Sequence, residues 1–174
     1  TVNVRPYNPF ATSSVKKIAS LAKAQPAWIQ PGLHIACNDP ALRKQATQIL
    51  GSETSPILGA KRLGKAVNMM MNPNAGIGVL RDATEILLTK EGVCRDYAIL
   101  TASLLRAVKI PTRLVSGLVY DSNAFYYHAW VETWDGKGWF GIDTTRADLS
   151  VTPGHIKLAQ GSVEDAFLFT FLDQ

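Results

Sequence analysis

The sequence predicts an α+β fold in which helices of the N-terminal half pack on an antiparallel β-sheet formed by the C-terminal half. As far as Val108, apolar residues recur every three or four positions, which is typical of amphipathic helices. From Thr112 onward, segments rich in β-branched and aromatic residues are bounded by turn residues, which is typical of strands. The dipeptide Asp135–Gly136 between two such segments indicates a β-hairpin. Helices followed by strands, rather than alternating with them, favour segregated layers.

The predicted helices have recognisable start and stop residues. Asp39–Pro40 and Ser55–Pro56 are helix starts, because Asp and Ser cap free amides and Pro is tolerated at the first helical position. Gly51 ends the first of these helices. Asp82 with Glu85 resembles a capping box before a short helix that Gly92 would end. The predicted helices cover residues 14–24, 40–50, 56–71, 86–90 and 94–108.

The strand pattern brings a histidine and an aspartate together. The predicted strands are Thr112–Tyr120, Phe125–Thr133, Gly138–Asp143 and Ala166–Phe171. A two-residue loop at Asp135–Gly136 places Trp134 opposite Lys137, and counting outward places His128 opposite Asp143 on the same face. Opposed residues have Cβ atoms about 5 Å apart, so the carboxylate can hold one imidazole nitrogen and stabilise the imidazolium. This pairing depends on the two-residue loop.

Cys94 stands at the predicted start of a helix, within EGVCRDYAIL. The free amides and the dipole of a helix N-terminus favour a thiolate there, and a neighbouring protonated histidine would favour it further. The alternative is a small buried apolar residue, as most free cysteines are. Asp96, in the first turn, is expected to stabilise the start of the helix. The two cysteines, Cys37 and Cys94, do not form a disulfide framework.

Composition and charge restrict the range of partners. His34 and Cys37 are only half of a zinc site, and no other close ligand pair accompanies them, so no metal and no cofactor are predicted. Residues 1–70 carry a net charge of +7 and residues 71–174 a net charge of −3. The basic half is either a set of solvated helix faces or a surface for an anionic partner. No basic run with interleaved aromatic residues favours nucleic-acid binding. No apolar run approaches the roughly 18 residues of a membrane span.

Three segments of the chain carry motifs of one known family: GVCRDYAILTASLLRAVKIPTRLVSGLVY, YYHAWVET and GWFGIDTT. They resemble the transglutaminase-like superfamily of papain-like thiol enzymes, and the resemblance covers about residues 40–160. Cys94 precedes His128 by 34 residues, and His128 precedes Asp143 by 15. The resemblance implies a papain-like cysteine proteinase fold, with a helical half that carries Cys94 and a sheet that carries the other two. It also implies Cys94 as nucleophile, His128 as base and then acid, and Asp143 as the orienting residue.

Two departures from the family pattern concern the helix and the oxyanion site. Family members usually have Gly-Ile-Pro where this chain has Lys109, Ile110 and Pro111, so the expected left-handed glycine is missing. Calcium-dependent animal transglutaminases use a Trp upstream of the Cys as an oxyanion donor, and no Trp lies between Gly32 and Cys94. The backbone N–H of Cys94 is expected to serve, with a second donor unassigned.

The resemblance implies a cysteine-dependent acyl-transfer enzyme that acts on carboxamide or peptide bonds of a peptide or protein through a Cys94 thioester. Hydrolysis, as a peptidase or amidase, is favoured, and transamidation of protein glutamine stays open. The alternative is a non-catalytic or weakly active binding module of a larger cell-envelope protein. Trp130 and Tyr126, on the face of His128, and Arg95 are candidate substrate contacts. For Trp130 the alternative is core packing, and for Arg95 it is a solvated surface position.

We divide the chain into an N-terminal arm, residues 1–38, and a transglutaminase-like catalytic domain, residues 39–174. The first residue is Thr rather than Met, so the chain is expected to be a piece of a longer product whose export signal would not be visible. A bacterial extracytoplasmic location, or a place within a longer exported protein, is expected. The segment DLSVTPGHIKL resembles one that follows the catalytic strand in bacterial members, so His155 is expected to have a supporting role.

Overall fold

The computed structural model describes residues 16–167, and these form helices packed on one antiparallel sheet. The helices are α1 Ile18–Leu21, α2 Pro40–Leu50, α3 Pro56–Met70, α4 Ala83–Thr89, α5 Cys94–Ala107 and α6 Val163–Phe167, with a 3-10 helix at Pro26–Ile29. The strands are β1 Asn72–Pro73, β2 Glu91–Gly92, β3 Thr112–Asp121, β4 Ala124–Trp134, β5 Trp139–Ile142 and β6 His155–Gly161. The antiparallel sheet has the order β5-β4-β3-β6, and β1 and β2 form a short parallel pair. The predicted α+β class is confirmed.

Most of the predicted helix signals are confirmed, but two at α4 are wrong. Gly92 does not end this helix, which stops at Thr89 with Lys90 as its left-handed C-cap. Asp39 accepts hydrogen bonds from two backbone N–H groups at the start of α2, and Ser55 accepts one at the start of α3. The capping box at Asp82 is wrong, because the Asp82 carboxylate makes no capping bond and instead accepts a hydrogen bond from His34 Nδ1 at 2.8 Å. At the exit of α5, Lys109 itself adopts the left-handed conformation, with φ 65°, that a glycine would favour.

The two-residue hairpin loop predicted at Asp135–Gly136 is wrong. Trp134 pairs with Trp139, so the loop has four residues, and the Asp135 carboxylate accepts the N–H groups of Lys137 and Gly138. The register therefore differs by two residues from the expected one. Because side chains alternate with a period of two, a shift of two changes the opposed partner and keeps the face. Asp143 follows the last pair of β4 and β5 and comes level with Trp130, not with His128.

The C-terminal part differs from the prediction in two elements. Residues Ala166–Phe171 were expected to form a strand, but α6 includes the described part of that segment. The sheet is completed instead by β6, which was not predicted and which pairs antiparallel with β3, with an irregularity between Ser116 and Gly117. The extended segment expected at residues 1–10, residues 14–15 of the first predicted helix and residues 168–171 of the last predicted strand lie outside the described residues.

The core lies between the helices and one face of the sheet. Leu104 and Leu105 of α5 are fully buried, as are Leu114 of β3 and Ile142 of β5, and burial of each such side chain stabilises the fold by about 1.5–3 kcal/mol. Ile18 and Ile35 join the same core, and the domain boundary at residue 38 stays a prediction. No helix within residues 16–167 combines the length and apolarity that crossing a bilayer requires.

Candidate active site

Cys94 is the first residue of α5, and a set of buried polar groups fixes this helix start. The Val93 N–H donates to the Asp96 carboxylate at 2.9 Å, which confirms the expected role of Asp96. Asp96 is fully buried and pairs with Arg81 at 3.3 Å. Gly92 is required beside it, since a Cβ at Gly92 would lie 2.4 Å from the Asp96 Cβ. The chain therefore enters α5 along one defined path, with Cys94 at its mouth.

His128 of β4 and Asp143, which follows β5, are hydrogen-bonded in spite of the changed register. The distance from His128 Nε2 to Asp143 Oδ2 is 2.8 Å. Asp143 is 1% exposed, and its Oδ1 accepts both the backbone N–H of Thr145, at 3.0 Å, and the Thr145 hydroxyl, at 2.7 Å. The two residues are diagonal neighbours on one face of the sheet, a separation that a long side chain can bridge.

A second histidine, His155 of β6, binds the same carboxylate. Its Nε2 lies 3.2 Å from Asp143 Oδ2, and its side chain is fully buried. Its Nδ1 accepts the backbone N–H of Thr152 at 3.1 Å. A backbone N–H can only donate, so Nδ1 carries no proton and Nε2–H donates to Asp143. His155 is therefore the neutral Nε2–H tautomer, and Asp143 accepts four hydrogen bonds in all.

The electrostatics of the site favour a charged His128–Asp143 pair. Burial by itself would lower the pKa of His128, but hydrogen bonds with Asp143 and Cys94 and the charges of both raise it to about 10. Burial by itself would raise the pKa of Asp143, but hydrogen bonds from His128, His155 and Thr145 hold it well below its ordinary value. Since Nε2 of His128 binds Asp143, Nδ1 is the nitrogen that remains for Cys94.

The loop that carries Asp143 is tied to the helix that carries Cys94. The hydroxyls of Thr144 and of Thr101, in α5, are hydrogen-bonded at 2.9 Å, and both residues are buried. The Asn68 side-chain amide of α3 donates to the Thr144 carbonyl at 3.0 Å. These contacts fix the sheet half and the helical half relative to each other at the site. A small change in the distance between the two halves would disturb the geometry of the reacting groups.

Cys94 and His128 line the same cleft. Its other walls are mostly apolar and include Val93, Tyr127, Leu158 and Ala166. Ser116 also lines the cleft, and its Oγ is buried without a hydrogen-bond partner among the described residues. Tyr127, Leu158 and Ser116 were not identified from the sequence, because strand alternation selected Tyr126 and because β6, which supplies Leu158, was not predicted.

Trp130 lies beside the histidine pair. It is 3% exposed, and its ring centroid is 6.2 Å from that of His128 and 5.2 Å from that of His155. A Cβ at Gly117 would lie 2.9 Å from Trp130 Cη2, so the absence of a side chain at Gly117 leaves room for the indole ring. Trp130 therefore packs behind His128 as a buried wall.

The two other proposed substrate contacts lie in different surroundings. Arg95 lines the cleft and donates from Nη2 to the carbonyls of Ile77 and Val79, at 3.0 and 3.1 Å. Its guanidinium thus ties the loop before α4 to the start of α5. Tyr126 is 53% exposed, while its neighbour Tyr127 lines the cleft.

Within residues 16–167, the group that could hold a metal ion is His128, Asp143 and His155, since one ligand atom from each lies within 4.8 Å of the others. In this structure, however, both Nε2 atoms are directed at Asp143 Oδ2, and Nδ1 of His155 is occupied by a backbone N–H. A metal would have to displace these hydrogen bonds. His128, Asp143 and His155 therefore form a polar cluster in which the two histidines are hydrogen-bonded to the carboxylate.

Comparison with known proteins gives one match to a family and several to individual proteins. A sequence profile described as the transglutaminase-like superfamily matches residues 43–144, more than half of the chain. A protein-glutamine gamma-glutamyltransferase of Pseudomonas aeruginosa is 38% identical in an alignment 71 residues long, which covers 33% of this chain and 10% of that protein.

Solved structures show the same fold. A proposed cysteine protease from Cytophaga hutchinsonii superposes with a TM-score of 0.77 at 24% identity, covering 91% of this chain and 54% of that one. The periplasmic domain of TgpA from Pseudomonas aeruginosa gives a TM-score of 0.53 at 26% identity, covering 67% of this chain and 45% of that one. The chain thus spans about half the length of these two structures, and the match to the Pseudomonas glutamyltransferase spans a tenth of that protein.

Proposed function

Because this chain belongs to the transglutaminase-like superfamily, we propose that it is a cysteine-dependent acyl-transfer enzyme acting on carboxamide or peptide bonds. One observation carries the proposal: Cys94, at the N-terminus of α5, shares a cleft with His128, whose ring is held on its other side by the buried Asp143. A thiol at a helix start beside an imidazole that is hydrogen-bonded to a carboxylate is the arrangement that nucleophilic thiol chemistry requires.

In the first step, the Cys94 thiolate attacks the carbonyl carbon of the substrate. A C–S bond forms, the C–N bond breaks, and the His128 imidazolium gives its proton to the leaving nitrogen. The backbone N–H of Cys94 lies in the first turn of α5, where amides have no partner within the helix. It stabilises the negative charge that develops on the carbonyl oxygen.

In the second step, a nucleophile attacks the thioester and His128 takes its proton, which regenerates the thiolate. Water gives a carboxylic acid, and a primary amine gives a new amide. We favour hydrolysis, because the cleft is bordered by the exposed side chains of Tyr127 and Leu158 and water reaches it easily. The name of the Pseudomonas relative supports transamidation of protein glutamine as the second branch. The TgpA domain supports an extracytoplasmic location.

Mass spectrometry of a glutamine-containing peptide after incubation with the protein, with and without a primary amine, tests the proposal. The mass gain expected from deamidation, or the appearance of cleavage fragments, indicates hydrolysis. An amine adduct indicates transamidation. Cys94→Ala is expected to abolish every product. The proposal is overturned if no product forms and if Cys94 alkylates with iodoacetamide no faster than a model thiol, unchanged by His128→Ala. A biological role that survives Cys94→Ala would favour the binding module instead.

A further inference from the structure

Part of β4 has an edge without a strand partner among residues 16–167. β5 pairs only with residues 131–134 of β4, whereas β4 begins at Ala124. Residues 124–130 therefore have β3 on one side and a free edge on the other. His128 lies within this stretch, so the free edge passes directly beside the proposed catalytic histidine.

The direction of the backbone groups along this edge follows from two hydrogen bonds at the ends of the sheet. The Trp134 N–H donates to the Pro111 carbonyl, on the β3 side, so even-numbered residues of β4 turn their backbone groups toward β3. The Tyr120 N–H donates to the Gly154 carbonyl on the β6 side, so even-numbered residues of β3 turn their backbone groups toward β6 and odd-numbered residues toward β4. The odd-numbered residues of β3 pair with even-numbered residues of β4, which agrees with the direction given by Trp134. Odd-numbered residues of β4 turn theirs outward, and along the free edge these are Phe125, Tyr127 and Ala129.

This free edge leads into the cleft. Tyr127 and Ala129 line the cleft together with Cys94. Ala129 is 5% exposed, whereas Phe125 and Tyr127 are 54% and 63% exposed, so the edge runs from solvent into the site. A chain paired along it would advance toward Cys94 by about 3.4 Å per residue.

Apart from the charge of His128, the edge also lacks the features that usually protect an exposed strand. Proteins blunt free edges with charged residues, proline or bulges, and residues 124–130, which read AFYYHAW, contain no Asp, Glu, Lys, Arg or Pro. Among the exposed apolar side chains along this edge are those of Phe125 and Tyr127. An unprotected edge bordered by exposed apolar side chains fits an extended partner that carries its own apolar side chains.

We propose that the substrate is an extended polypeptide segment that adds to the free edge of β4 as an antiparallel or parallel strand. This inference rests on the proposed function and names its substrate class. The N–H and C=O of Tyr127 pair with the backbone of the segment, which enters the cleft at Ala129 and presents its reacting group to Cys94. Apolar or aromatic side chains at alternate positions of the segment pack against Phe125 and Tyr127. A small free amide would leave these outward backbone groups unused.

A backbone N-methylation scan tests strand addition on the unmodified protein. The probes are iodoacetamide and octapeptides whose central glutamine is replaced by a residue with a chloromethyl ketone side chain, and the measurement is the rate of Cys94 alkylation. Removing one paired N–H is expected to lower the peptide rate roughly three- to tenfold, since a net hydrogen bond contributes about that factor. The loss should recur at every second peptide position, while the positions between react nearly as fast as the parent peptide.

A paired set of protein variants gives an independent measurement. Tyr127→Pro removes the outward N–H and leaves the bonds to β3 possible, because proline is tolerated where the N–H faces away from the sheet. Tyr127→Ala removes the side chain and keeps that N–H. The ratio of peptide to iodoacetamide rates is expected to be roughly threefold lower in Tyr127→Pro than in Tyr127→Ala.

The possible failures are distinguishable. Uniform losses or no losses along the methylation scan, or equal ratios in the two Tyr127 variants, would overturn strand addition and leave the proposed function intact. A Cys94 that reacts with iodoacetamide no faster than a model thiol would overturn the proposed function itself. Hydrogen exchange gives the last outcome: backbone amides of Phe125 and Tyr127 that are protected without peptide, in a protein that elutes as a dimer, would mean that a second copy occupies the edge.

Discussion

The two sides of the His128 ring have opposite surroundings. On one side lies a closed polar pocket, where Asp143 is 1% exposed and accepts hydrogen bonds from His128, His155 and Thr145. On the other side lies an open cleft with mostly apolar walls and with Cys94 at its helix-side rim. There the Ser116 hydroxyl lacks a partner among the described residues, and the edge of β4 is free.

The difference separates two tasks. The closed side fixes the orientation and the charge of the imidazole, because every hydrogen-bonding atom of the Asp143 carboxylate is used. The open side leaves backbone and hydroxyl groups unpaired, and these become useful only when a ligand supplies the partners. Changes on the closed side should therefore alter proton transfer, and changes on the open side should alter binding. The predictions below test this separation, in order of decreasing effect.

Asp143→Ala should have the largest effect. It removes the carboxylate that raises the pKa of His128 and leaves the ring without its partner on the closed side. We expect product formation in the glutamine-peptide assay to fall on the order of 10² to 10⁴-fold. Asp148→Ala is the matched control, because Asp148 is a nearby exposed aspartate whose bonds are to Ser150 and Arg146. Equal activity of the two variants would contradict the role of the closed side.

His155→Leu should have an intermediate effect, about 10- to 100-fold on product formation. His155 acts through Asp143 as a positioning residue, since its Nε2–H donates to Oδ2 at 3.2 Å. Losing this donor raises the pKa of Asp143, so the acid limb of the pH profile of Cys94 alkylation moves to higher pH. His155→Gln keeps an N–H donor and should restore much of the activity and the profile. A purely structural role would lower the melting temperature in both variants and leave the profile of each in place.

Local signals in the sequence predicted much of the helical half. Asp39 and Ser55 cap their helices as expected, and Cys94 begins α5, because such starts depend on residues a few positions apart. The pairing of His128 with Asp143 was also expected, and the two side chains are hydrogen-bonded although the predicted register of β4 and β5 was wrong. The Asx-type bonds of Asp135 lengthen the loop from two residues to four, which preserves the parity of the strand.

The parts that depend on distant pairing could not be predicted. β6 pairs with β3 across some 40 residues, and its sequence HIKLAQG has no clear alternation. Because β6 was not predicted, no local sequence pattern indicated the bond of His155 to Asp143 or the position of Leu158 in the cleft. Alternation selected Tyr126 as the residue on the face of His128. The cleft is formed where helix, sheet and α6 meet, so it was Tyr127 that lined it.

The charge of the closed side predicts how stability depends on pH. The folded-state pKa of His128, about 10, lies above its ordinary 6.5, so its contribution is complete below about pH 6.5 and is lost as the pH rises toward 10. The lowered pKa of Asp143 acts in the opposite direction, so its contribution is lost as the pH falls below the ordinary 3.8. The free energy of unfolding in urea, compared at pH 6 and pH 9.5, should fall more in the parent than in His128→Gln. Equal falls would mean that the ring is not charged in the fold.

Leu158→Ala, on the open side, should have the smallest effect. Leu158 is 51% exposed, so the free energy of unfolding should stay within about 0.5 kcal/mol of the parent. The variant should raise KM for peptide substrates a few-fold through lost apolar contact, and the midpoints of the pH profile should stay in place, because Leu158 has no bond to Asp143 or His155 among the described residues. Its pH profile should be compared directly with that of His155→Leu, which lies three residues away on the same strand. If Leu158→Ala moved the acid limb as His155→Leu does, the two sides of the His128 ring would act as one coupled unit, and the separation of proton transfer from binding would fail.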